Sequence, residues 1–269
     1  MISPTDVATG PRAIWGVSDC GQVMNQLPGA ALRSREPEGE YEHLAIGVLW
    51  EGYTLAYFTA PGVDNVKWDV FEDFSGIICD GGTVIQNNVA EMVKLTESHT
   101  DDNILKVRQA FIISKNGTRI VIRMDLANIS RTDVTDLVIK RYADIDVDTG
   151  GSAGWANFQA RWDKNRDSVF TYNLDEDAPE RRRGHIVNMV AMPSDLPLEL
   201  THVGQLGLRP FATRANSPLL SPLPTGRTDA DGILQWRATR LLSGESVRIN
   251  MYYDTWRVFG SPQGHVERD

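Results

Sequence analysis

The densest run of chemistry-bearing side chains is Asp144-Ile145-Asp146-Val147-Asp148-Thr149-Gly150-Gly151. Its carboxylates stand at alternate positions, so an extended chain turns Asp144, Asp146 and Asp148 to one side. Hard cations take several oxygen ligands, and calcium is the metal this composition suits. The twelve-residue calcium loop does not fit. Thr149 stands where its sixth-position glycine belongs, and Trp155 where its final glutamate does. The competing readings are a charged strand edge that deters pairing with another sheet and a group facing a substrate, for which Asp146 is the candidate.

Aromatic side chains offer rigid, flat area that stacks on the apolar face of a sugar ring. Trp155, Trp162 and Trp236 each have polar neighbours in sequence, among them Asn157, Arg161 and Gln235. Tyr252 and Trp256 share the more polar side of a C-terminal strand with Asn250 and Asp254. These five are the candidate ligand-binding aromatics. Each also has a core reading, because tryptophan is often buried.

His185 and His202 are the candidate catalytic histidines, with Asp146 as a carboxylate partner. Strict alternation puts Glu199 and His202, three residues apart, on opposite faces of a strand. Arg181-Arg182-Arg183 beside His185 could hold an anion, but Asp175, Glu176, Asp177 and Glu180 lie just before it. A carboxylate pair for glycoside chemistry must face across ~5–9 Å, and 36 acidic residues leave the choice open. The chain has no dinucleotide fingerprint, phosphate-binding loop or zinc-protease helix motif. An organic cofactor is therefore not expected.

The elements that must position these groups read as strands. Ile120, Ile122, Met124 and Leu126 alternate with Val121, Arg123, Asp125 and Ala127. Leu105, Val107, Gln109, Phe111 and Ile113 share one face of the strand before. Between them, Asn116-Gly117 predicts a two-residue type I′ hairpin. A third strand is expected over Asp136–Asp146, with Leu137, Ile139, Ala143 and Ile145 on one face. Asp229–Gly232 predicts a turn into a strand from Ile233 to Leu241, and Gly244-Glu245 a hairpin into Val247, Ile249, Met251 and Tyr253. Shorter strands fit Ala45–Trp50, Thr54–Phe58, Val66–Phe71, Thr83–Gln86, Val89–Thr96, Ser168–Tyr172, Ile186–Met192 and Glu199–Val203. Gly154–Asn165 is the one place for a short helix. Asp6–Gly10, Arg33–Glu40, Asp175–Arg183 and Asn216–Arg227 read as loops. The expectation is an all-β chain, a large antiparallel β-sandwich forming one domain over residues 1–269.

The middle of the chain resembles the β-supersandwich domains of the galactose-mutarotase-like group, including the N-terminal sandwich of glucoamylase-type glycoside hydrolases. The resemblance lies in the succession RIVIRMDLANIS (119–130) into DLVIKRYADIDVD (136–148), and extends over about residues 80–175. It implies a carbohydrate-related fold and carries no individual residue across.

Net charge is −9. That argues against nucleic acid, which needs a basic surface, and against anionic membranes. The N-terminus lacks a signal-peptide pattern and no apolar run approaches a membrane span. A cytoplasmic location follows by default, and two sequons, at Asn116 and Asn128, are then idle. The two cysteines, Cys20 and Cys79, are expected as free buried thiols, although pairing is open.

Two functions are in view. One is a carbohydrate-binding or carbohydrate-active sandwich working by carboxylate or histidine acid–base chemistry. The other is a structural or assembly protein forming a homo-oligomer, filament or particle. The Pro-rich stretch 216–227 and the loop 28–41 would then serve as interface arms.

Overall fold

The computed structural model describes residues 5–23, 32–36, 39–42, 51–59, 63–70, 73–145, 159–163, 168–174, 183–205, 212, 214, 230–260 and 266–268. Its first four strands are β1 (Thr5–Thr9), β2 (Ala13–Ser18), β3 (Leu32–Glu36) and β4 (Gly39–Glu42), paired in that order as a small sheet. There follow β5 (Glu51–Phe58), β6 (Asp64–Val70), β7 (Asp73–Ser75), β8 (Ile77–Asn87), β9 (Glu91–Thr100), β10 (Leu105–Ser114), β11 (Arg119–Asn128) and β12 (Val134–Asp144). The C-terminal part supplies β13 (Gln159–Asp163), β14 (Ser168–Leu174), β15 (Arg183–Met192), β16 (Leu198–Gln205), β17 (Ala230–Leu241), β18 (Ser246–Gly260) and β19 (Val266–Arg268). Among the described residues there is no α-helix, and no helix long and apolar enough to cross a membrane.

Two large antiparallel sheets form the sandwich. One runs β13-β14-β15-β18-β11-β10-β9-β8, with β19 on β18, and the other runs β16-β17-β12-β5-β6-β7. Alternation explains the packing. Val107, Phe111, Ile122, Met124, Ile249 and Met251 from the first sheet meet Leu55, Leu137, Ile139, Leu234 and Trp236 from the second in one core. The small sheet adds Trp15 and Val17 to it. It is fastened there by the buried Lys94 ammonium, which donates to Val17 O at 3.0 Å and Asp19 Oδ1 at 2.6 Å and lies 2.7 Å from Asp6 Oδ2.

Several local expectations are corrected. The 105–128 hairpin forms, but Asn116 and Gly117 both avoid the left-handed region. The last strand pair is Ile113–Ile120, too far apart in sequence for a two-residue turn, and the loop closes by Gly117 N–H to Ser114 O instead. Asp6–Gly10 and Arg33–Glu40, read as loops, hold β1 and much of β3 and β4, because partners in the small sheet outweigh their polar composition. The stretch allowed as a helix carries β13 over Gln159–Asp163. The strand at Ala45–Trp50 and the loops at 216–227 and 175–182 lie outside the described residues.

Cys20 and Cys79 are not free thiols. They form a disulfide across a sequence separation of 59. Two-residue spacing rules cannot see this, because the pair depends on the β2–Val23 loop reaching β8.

Gly52 allows β5 and β6 to lie close: a Cβ there would sit 1.9 Å from Asp69 O. Asp136 takes φ +47° where the β12–β5 register slips between Thr135 and Val138. A non-glycine residue in that conformation costs energy that its surroundings must offset.

Candidate functional site

The strands that bury Leu137, Ile139 and Trp236 inward turn their alternate residues to the outer face of the six-stranded sheet. Register defines a row there. Gln235 of β17 pairs with Lys140 of β12, Lys140 with Thr54 of β5, and Thr54 with Trp68 of β6. Val70, Tyr142 and Ile233 form a small apolar cluster beside this row, with Trp68 and Ala212 packed against it.

Glu199 completes the row at one end. The β16–β17 register shifts between Leu198 and Leu200, so Glu199 is an extra residue whose carboxylate accepts from Gln235 Nε2 at 2.6 Å and lies 2.7 Å from Arg237 Nε. The bulge breaks the alternation that separated Glu199 from His202. His202 is the strand partner of Ile233, and its side chain lies outside the described residues. Arg237 also donates to Asp136 Oδ1 at 2.6 Å. Arg214 donates to Asp136 Oδ2 at 3.0 Å and to Asp64 Oδ1 at 2.7 Å, with its guanidinium 4.0 Å over the Phe58 ring. Trp68 is half-buried and donates its indole N–H to Asp73 at 3.0 Å.

Burial differs along this row. Lys140, Gln235 and Thr54 are buried, Arg237 and Trp68 half-buried, and Glu199 exposed. Burial pulls the Lys140 ammonium down to about 8; Arg237 adds to this and Glu199 opposes it. The arrangement therefore places a carboxylate acceptor and an ammonium near its titration range beside amide, hydroxyl and indole groups.

The inner face of the same strands carries a separate polar network. Glu51 Oε1 accepts from Arg141 Nε at 2.7 Å and from Tyr253 Oη at 2.8 Å, and Oε2 accepts from Val23 N at 2.5 Å. Arg141 also donates to Gln109 Oε1 at 2.9 Å and Gly21 O at 3.2 Å. Burial pushes the Glu51 carboxyl upward against the pull of Arg141 and of the Val23 and Tyr253 hydrogen bonds. Asp69 accepts from Gln22 Nε2 through Oδ1, while its Oδ2 has no hydrogen-bond partner. Burial raises it to about 7, against Gln22 and Arg141. Sealed between the sheets, these groups hold the fold together rather than face a ligand.

The sequence candidates scatter. Trp236 is fully buried in the core with its indole N–H unpaired, so it offers no open stacking face. The parity of β17 decides this, since Gln235 and Arg237 take the outer face. Tyr252 is half-buried on the nine-stranded sheet and has the Arg119 guanidinium 4.0 Å over its ring. Trp162 pairs with Val169, Trp256 with Ile186, and His185 with Asn173 and Arg257; their side chains, like all of Trp155, lie outside the described residues. Asp144 is buried at the end of β12. Asp146 and Asp148 lie outside the described residues, and among those described no group of three potential ligands could hold a metal. Sequence reasoning missed Lys140, Glu199 and Arg237. The signal was there: Lys140-Arg141 sits back to back inside the apolar run Leu137–Ala143.

No family model matches the chain, and no curated protein matches it. Solved structures do. A bacterial glucoamylase complexed with acarbose superposes with TM-score 0.51 at 5% identity, over 98% of this chain and 33% of that one. The chain thus spans about a third of the glucoamylase's length. A putative aldose 1-epimerase from Escherichia coli K12 matches with TM-score 0.45 at 11% identity, over 94% of this chain and 98% of that one. A galactose mutarotase related enzyme from Lactobacillus acidophilus matches with TM-score 0.36 at 10% identity, over 94% and 97%. The chain has the large antiparallel sandwich fold, and the resemblance expected from residues 80–175 holds at the level of fold.

Proposed function

We propose that this chain binds a carbohydrate on the outer face of its six-stranded sheet, around Glu199, Arg237 and Trp68 above Lys140 and Gln235. The observation that carries the reading is the cross-strand row Glu199–Gln235–Lys140–Thr54–Trp68. Sugar hydroxyls both donate and accept; Glu199 offers an acceptor and Arg237 donors at one end, and Trp68 an indole at the other, over the buried Gln235, Lys140 and Thr54. If a proton is moved on the bound sugar, Glu199 is the acceptor. The glucoamylase fold likeness supports the reading.

A thermal-shift screen of neutral mono- and oligosaccharides tests it, with Glu199→Gln and Trp68→Ala beside the parent chain. Stabilisation of the parent by a sugar, lost in both variants, supports the site. Sugar binding that survives both variants places it elsewhere, and no stabilisation by any sugar removes the reading.

A second reading rests on a different observation. Among the described residues β7 and β8 are edge strands, and with the turn beyond them they expose Phe74 (71%), Ile85 (59%) and Val89 (92%). Large apolar residues on sheet edges suit a subunit of an assembly. Light scattering at micromolar concentration decides: a strict monomer eliminates it.

A further inference from the structure

We propose that the Cys20–Cys79 disulfide is a redox latch: its reduction by an external dithiol releases the loop at residues 18–23 and loosens the strands beneath the candidate site.

That loop is held almost residue by residue. Asp19 pairs with Lys94 of β9. Gly21 O accepts from Arg141 of β12 and Gln109 of β10. Gln22 donates to Asp69 of β6, and Val23 N–H to Glu51 of β5. Cys20, in their midst, is bonded to Cys79 on β8, an edge strand among the described residues. Gly21 takes φ +89°, and a Cβ there would sit 2.0 Å from Gln109 Nε2, so the loop fits in one conformation. The network's inward residues adjoin the outward row: Asp69 follows Trp68, and Arg141 follows Lys140.

Access favours one direction of attack. Cys79 is exposed and Cys20 half-buried. A dithiol's thiolate bonds to Cys79 Sγ, and the S–S bond breaks with its electron pair leaving on Cys20 Sγ, which takes a proton from solvent. The second thiol, losing its proton, then attacks the mixed disulfide. Cys79 leaves as a thiolate and is protonated, and the reagent departs as a cyclic disulfide. The protein gains two electrons from the dithiol and two protons from solvent, which takes up the two the dithiol has lost.

The coupling to ligand binding rests on the carbohydrate reading, whereas the latch does not. The test compares the full oxidised chain with the chain reduced by dithiothreitol under native conditions. Alkylation counts thiols, and hydrogen exchange reads residues 18–23, β5, β6 and β12. The latch predicts two alkylated thiols, faster exchange in those segments, an unchanged β10–β11 hairpin, and recovery on reoxidation. Thiols that react only in denaturant overturn it, as does unchanged exchange after full reduction. Cys79→Ser should show the fast-exchange pattern without reductant; parent-like exchange in a folded variant also overturns it. With a sugar that binds the oxidised chain, reduction should weaken binding by about fivefold or more. Equal binding in both forms overturns the coupling. Failure of the oxidised chain to bind any sugar defeats the carbohydrate reading, and exchange alone then judges the latch.

Discussion

Lys140 and Arg141 are consecutive on β12 and serve opposite faces of the same sheet. Arg141 is bound to Glu51, Gln109 and Gly21 O inside the sandwich, and Lys140 lies in the outer row between Gln235 and Thr54. Their replacement should therefore have opposite consequences. Arg141→Met leaves Glu51 buried without its cation and should cost about 3–5 kcal/mol. Lys140→Met should leave the urea midpoint at pH 7 equal or higher. The sign follows from linkage: the folded pKa of Lys140 lies below its unfolded value, so its charge is a penalty below about pH 8 that fades as pH rises toward 10.5. Urea titration of both variants at pH 7 is the measurement.

Asp69 gives the chain a pH dependence of opposite slope to the usual carboxylate. Its folded pKa, about 7, lies above the ordinary aspartate value, so the folded state holds the proton more tightly. Stability should fall as pH rises from about 4 to about 7 and stay low above that, with a contribution on the order of 3–4 kcal/mol. Asp69→Asn should flatten this part of the profile. Urea midpoints at pH 5 and pH 8, for the parent and the variant, should show the difference shrinking.

Asp136 combines a strained backbone with a carboxylate shared by Arg214 and Arg237. Asp136→Ala and Asp136→Gly both remove the carboxylate, but only alanine keeps the strain. The glycine variant should be the more stable of the two by about 1 kcal/mol. Thermal unfolding of the pair side by side tests this, and equal midpoints would show that the bulge relaxes once the arginines are released.

Gly52→Ala should be among the most damaging small changes in the chain. The added methyl meets the Asp69 backbone rather than a movable side chain, so β5 and β6 must separate. Loss of the cooperative unfolding transition, or a fall of more than about 3 kcal/mol, is expected.

Much of the fold was legible because its central strands keep strict alternation. Ile120, Ile122, Met124 and Leu126 are all buried, as are Leu137, Ile139 and Ala143. What escaped notice depends on pairing between distant strands. β1, β3 and β4 are polar in sequence and are strands because of pairing in the small sheet, β1 with β2, β3 with β2 and β4. The disulfide joins two loops' worth of separation that no spacing rule connects. The candidate site was missed for a related reason. Aromatic and acidic residues were weighed by local company, yet Glu199, Gln235, Lys140, Thr54 and Trp68 come from strands far apart in the chain and meet only through register. Trp236 shows the reverse error, since its polar neighbours mark the other side of the strand.

The extra residue at Glu199 also sets a rule for reading relatives of this chain. β16 runs half a pleat out of phase on either side of it, so a gapless alignment through 198–200 would swap lining positions for interior ones beyond that point. A relative lacking that one residue would present a different set of side chains to whatever occupies the sheet, with nearly the same backbone. Divergence in ligand preference could then come from a single-codon deletion, without replacement of any side chain in the row.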